Sequence, residues 1–237
     1  MIIQPKLAPT TIGRGLYATA AVLTLLLIFA GFARTYYLKG MFASPALPPL
    51  VHLHGLVMTG WFVLFLVQAM LVATHRTAVH RRLGIVGAVW ALMVLVVGLA
   101  TAIHGARRGF TPGPPPLVFL VVPVMDLVVF AALIGTALLN RHRPDIHRRL
   151  MLLGTIGLLA PAIGRLPIGF IARGGLPAIF GLLVLGAVAS AAYDTWRHRR
   201  LHPAFGWGLL LLVGSIPLRI ALAGTGVWHH FATWLIS

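Results

Sequence analysis

Seven stretches, each long and apolar enough to cross a bilayer as a helix, follow one another along the chain with only short connections between them. A spanning helix needs about 20 mostly apolar residues, and it must satisfy every backbone N–H and C=O internally once water is gone. The stretches cover roughly residues 16–34, 52–74, 83–103, 117–140, 149–171, 177–197 and 204–223. A last apolar and aromatic stretch, 227–236, is too short to span and is expected to lie at the interface. The pattern predicts an all-α, polytopic membrane bundle of seven transmembrane helices, forming one transmembrane domain over residues 1–237. Charged residues make up 9% of the chain, against about 25% in a soluble domain.

The 19 Lys and Arg residues against three acids give a net charge of +16. In a soluble protein that would suggest nucleic acid. Here the basic residues fall between apolar runs, where they orient helices and meet anionic lipid headgroups, so the bilayer is the expected partner and nucleic acid is not. Twelve of them fall on the N-terminal side: Lys6, Arg14, Arg76, Arg81, Arg82, Arg141, Arg143, Arg148, Arg149, Arg197, Arg199 and Arg200. Seven fall on the other: Arg34, Lys39, Arg107, Arg108, Arg165, Arg173 and Arg219. The bias places the N-terminus in the cytoplasm and the C-terminus in the periplasm. Lys6 and Arg14 ahead of the first apolar run read as a signal anchor. Cysteine is absent, so any haem is held without thioether bonds and any metal without thiolate.

One motif occurs twice. His75-Arg76-Thr77-Ala78-Val79-His80-Arg81-Arg82-Leu83 returns as His142-Arg143-Pro144-Asp145-Ile146-His147-Arg148-Arg149-Leu150, with six of nine positions identical. Upstream, Val57-Met58 aligns with Val124-Met125. Helices two–three and four–five therefore read as an internal duplication. Equivalent residues of a duplicated unit can meet across its axis, which pairs His80 with His147 as axial ligands of a haem b, with Arg81 and Arg148 beside its propionates. The other reading is a basic interfacial collar that binds phospholipid phosphate.

On the second span, His54, Met58, Trp61, Phe65, Gln68, Val72 and His75 follow a 3,4 spacing and share one helix face. That face reads as a ligand surface, or as an inward face whose Gln68 makes one interhelical hydrogen bond. The opposite half of the membrane holds Asp126, the acid expected deep in hydrocarbon, and at similar depth Arg165 and Arg219, with Pro123, Pro161, Pro167 and Pro217 nearby. Asp126, Arg165 and Arg219 are expected to line an outward-opening pocket that His54, Met58 and His104 complete. The alternative is a structural ion pair with one snorkelling arginine. A third possibility is copper, since His52, His54 and Met58, with Met41 and His229-His230, offer imidazole and thioether ligands. A retinal protein is excluded, because the only lysines are Lys6 and Lys39 and neither lies on the last helix. The His-x-x-x-His pair of seven-helix zinc hydrolases is also missing from that helix.

Two histidines on paired helices resemble the architecture of membrane cytochromes b. The His52-x-His54 start of the second span and the two His-Arg-Arg-Leu entries, the second followed by Met151, resemble YozB/CtaM-type proteins that assist cytochrome oxidase assembly; the likeness covers about residues 50–160. The overall pattern is similar to that of bacterial multi-pass inner-membrane proteins. These resemblances imply the bacterial inner membrane and a haem-linked role, either electron transfer by haem b or haem and oxidase assembly, with a respiratory-chain or quinone partner. They assign no catalytic residue. The residues also admit a proton or small-anion transporter built on Asp126, Arg165 and Arg219, or a structural scaffold.

Overall fold

The computed structural model describes residues 12–42, 45–111 and 113–237, with side chains from Gly15 onward. Lys6, the Arg14 side chain and the start of the signal-anchor reading lie outside the described residues. Eight helices make up the described chain: α1 Gly15–Tyr37, α2 Pro49–Ala73, α3 Thr77–Arg107, α4 Pro116–Leu139, α5 Pro144–Ile163, α6 Gly169–His198, α7 Pro203–Ala223 and α8 Gly226–Ile236. The first seven are long and apolar enough to span a membrane.

The chain places its prolines where helices begin. Pro49, Pro116, Pro144 and Pro203 each open a helix, at a position whose N–H would be unpaired in any case. Prolines within the helices mark interruptions. Around Leu158 and Leu159 the α-helical ladder of α5 gives way to turns just ahead of Pro161. In α6, Gly175 takes φ 54°, ψ −143° two residues before Pro177, so that helix is kinked. The last turn of α1, Ala33–Tyr37, widens to a π-helix and turns two tyrosines onto α2. There Tyr37 Oη and Thr59 Oγ1 lie 2.7 Å apart, and Tyr36 Oη donates to the His52 carbonyl.

Six helices form a closed ring in the order α1, α2, α3, α4, α7, α6 and back to α1. The seventh, α5, lies inside and packs on α1, α4, α6 and α7. Its apolar window is 67% buried, against 17–39% for the other six, yet it has the lowest mean hydropathy of the seven. Lipid tails are as apolar as leucine, so burial in a membrane bundle is decided by polarity and fit, and the most polar span goes to the centre. α5 meets α1 closely because position 31 is glycine: a Cβ there would fall on the Ala162 carbonyl.

The two copies of the repeated motif occupy unlike places. Arg82 is exposed on the peripheral α3, whereas Arg149 is 2% exposed at the centre of the bundle. The structure shows seven spans but does not show a duplicated four-helix unit. α3 begins at Thr77, ahead of the expected start at 83, so His80-Arg81-Arg82 form its first turns.

Candidate functional site

The α2–α3, α4–α5 and α6–α7 connections lie at one end of the bundle, called here the basic end. Buried polar groups gather below it on the central helix. Arg149 of α5 donates from Nε and Nη2 to Asp194 of α6 at 2.7–3.0 Å, and from Nη1 to the Asp145 carbonyl at 2.7 Å. Both side chains of this bidentate pair are 2% exposed. Phe205 of α7 closes the guanidinium face. At the rim, His202, the cap of α7, lies 3.1 Å from the Asp145 carboxylate. Asp126 is the acid the sequence places deep in hydrocarbon; Asp194, near the basic end of α6, is a second buried acid and is more thoroughly enclosed by protein. A signal for it existed: Arg149 and Asp194 lie at similar distances from the same end of adjoining spans.

His80 and His147 do face each other. Their ring centroids are 6.4 Å apart and the planes are inclined at 77°. Each ring is held from behind. His147 donates from Nδ1 to the Ala137 carbonyl at 2.8 Å, leaving a lone pair on Nε2 in the neutral ring. Gln68 serves His80: with its carboxamide oxygen accepting from the Gly84 N–H at 3.1 Å, its NH2 donates to His80 Nδ1 at 2.7 Å. That donation places the proton of neutral His80 on Nε2. Arg148 does not accompany a propionate-like position beside His147; its guanidinium lies over the Tyr17 ring of α1 at 5.4 Å. Arg81 is exposed at the start of α3.

The second cluster lies towards the opposite end. Arg219 of α7 donates from Nη1 to Asp126 Oδ1 of α4 at 2.6 Å and from Nη2 to Ser215 Oγ at 3.1 Å. Its guanidinium packs on the Phe180 ring of α6 at 4.9 Å. Beside the pair is a cavity of about 10 Å³, which is room for one water. Gly157, at the end of the unbroken part of α5, lines it. Arg165 does not join this pair. α5 has ended before it, so its side chain folds back to donate to the Pro161 carbonyl at 2.8 Å and stacks on Phe32 of α1 at 4.7 Å. The expected wide pocket lined by Asp126, Arg165 and Arg219 is thus a closed pair at one place and a separate arginine at another.

His54 Nδ1 and His104 Nε2 are buried with no hydrogen-bond partner among the described residues. Met58 packs near Gly98 of α3. The copper set is dispersed. His52 and His54 are two residues apart on a helix and do not share a face, and the His52 ring sits beside Tyr36. Met41 is 77% exposed, and His230 donates to the Gly226 carbonyl of its own helix. Among the described residues no three His, Cys, Asp or Glu side chains gather as a metal site. Compared with family models, curated proteins and solved structures, the chain matches none.

Proposed function

We propose that this integral membrane protein moves protons or a small anion across the bilayer, with Asp126 and Arg219 as the charge-bearing site. The observation that carries the reading is the break in the central helix beside that pair. α5 loses its regular ladder just after Gly157, and Gly157 lines the water-sized cavity next to Asp126 and Arg219. Irregular backbone within a membrane is tolerated where it lines a polar cavity, and broken helices mark the binding sites of many carriers. An aspartate held by an arginine takes up or releases a proton as the pair opens and closes, and an opened guanidinium offers a place to an anion. The purified protein in vesicles with a trapped pH-sensitive or chloride-sensitive dye should dissipate an imposed proton or chloride gradient. Asp126→Asn should slow that flux, while Arg165→Gln, away from the pair, should not. Wild-type flux no faster than protein-free vesicles for both ions would refute the reading.

A second reading rests on the facing imidazoles. His147 fits an axial haem ligand, since its Nε2 lone pair is free and its Nδ1–H is fixed by a carbonyl, the usual arrangement behind a ligating histidine. His80 fits only if Gln68 reverses its carboxamide and gives up the Gly84 contact. Bound there, haem b would supply one-electron chemistry; His80 and His147 would hold it between α3 and α5. Protein expressed with added haem should then show a Soret band that His80→Ala or His147→Ala removes and His142→Ala does not. Colourless protein would exclude it. We place the basic end in the cytoplasm on the charge bias, and the protein in a bacterial inner membrane on the resemblances given above.

A further inference from the structure

At the basic end, a crevice of about 400 Å³ runs along the seam between α4, α5 and α7. That is within the range of ligand-holding pockets, roughly 300–1,000 Å³. Its walls are of two kinds. Leu133, Leu150 and Leu211 make an apolar floor, while Asn140, Arg143 and the Asp145–His202 pair form the rim. α5 and α7 both begin at this rim, at Pro144 and Pro203; their first N–H groups are taken by the Arg143 carbonyl and Asp145 carboxylate and by His202, so Arg143 and the positive dipole ends are what the rim offers an anion. The Asp145 carboxylate is taken by His202, and Arg143 is exposed and makes no ion pair among the described residues. Trp207 lines the crevice and is 72% exposed, the behaviour of a residue that marks headgroup level.

These features fit one occupant. A small soluble anion would satisfy the rim and leave the apolar floor without a purpose; a neutral lipid would fill the floor and leave the cationic rim unmatched. We propose that the crevice is a binding site for an anionic glycerophospholipid of the surrounding bilayer, with its phosphate at Arg143 and one acyl chain along the floor. The site lies apart from Asp126 and Arg219 and does not depend on the transport reading.

The test uses the whole protein in detergent, with phosphatidylglycerol, phosphatidylcholine or inorganic phosphate added, read by native mass spectrometry and by melting temperature. Wild type should retain phosphatidylglycerol in preference to phosphatidylcholine. Arg143→Ala should weaken phosphatidylglycerol retention about fivefold, the worth of one basic side chain near an anionic headgroup. Ala132→Trp, which fills the crevice from its exposed lip and leaves the charge alone, should lower retention of both lipids. Phosphatidylglycerol retention left unchanged by either substitution would overturn the proposal, as would equal retention of the two lipids by wild type. Inorganic phosphate that raises the melting temperature as much as phosphatidylglycerol would show a free-anion site and overturn it too.

Discussion

Removing the Asp194 carboxylate should be among the most damaging single changes in the protein. Asp194→Ala leaves the Arg149 guanidinium enclosed, at 2% exposure, with three of its four hydrogen bonds gone and only the Asp145 carbonyl remaining. Breaking a buried pair on one side costs about 3–5 kcal/mol, because an uncompensated charge stays inside. In a domain of this size each kcal/mol moves the melting temperature by about 2–4 °C, so a fall of roughly 6–20 °C is expected. The double variant Arg149→Met/Asp194→Leu removes both charges and keeps the volume, and such replacements are often neutral or stabilising. It should therefore melt well above Asp194→Ala. The assay is thermal unfolding in mild detergent of wild type, both single variants and the double, treated as a cycle. If Asp194→Ala costs less than about 1 kcal/mol, or the double variant is no better than the worse single one, the guanidinium has another partner and the reasoning fails.

Asp126→Ala strands Arg219, which keeps only Ser215, and should destabilise less than Asp194→Ala, because the Asp126 pair is joined by one bond and is less enclosed; equal melting curves for the two would contradict this. Gly31→Leu should separate α1 from α5 and cost about 1–3 kcal/mol as overpacking, whereas Gly15→Leu, with open space around it, should change the melting temperature little. A reporter fused after Ser237 should report the periplasm and one inserted at His142 the cytoplasm; the reverse result would overturn the charge-based orientation.

The spans were legible because a bilayer demands a long apolar run for each crossing and nothing else in the chain competes with that signal. The inward face of α2 was legible too: the 3,4 spacing of His54, Met58, Trp61, Phe65 and Gln68 puts Trp61 and Phe65 into the core and Gln68 onto His80. Depth alone brought Asp126 to Arg219. Depth failed for Arg165, since the local chain direction changes once α5 ends, and a residue past a helix end no longer inherits its face. The Arg149–Asp194 pair was hidden by likeness: Arg82 and Arg149 stand at equivalent points of the same motif, and only packing distinguishes an arginine at the rim of the ring from one on its central helix. The composition of α5 held the hint, for the least apolar span is the one lipid solvates worst.

The central place of α5 bears on how the chain enters its membrane. Placed singly at the middle of a spanning helix, an arginine or an aspartate costs about 2.5–3.5 kcal/mol on the scale set by the insertion machinery. α5 carries Arg149 in its second turn and α6 carries Asp194 in its last turns, so each pays less than that figure, yet each enters lipid more readily with its partner than by itself. Joined, the two cancel each other's charge, and the short connection from Gly164 to Ile168 lets them do so as one hairpin. The same holds over a longer separation for α4, whose Asp126 waits for Arg219 of α7, so the first four helices form a wall with one charge still unmatched. A charge-matched pair is delivered against them next, and α7 closes the ring last.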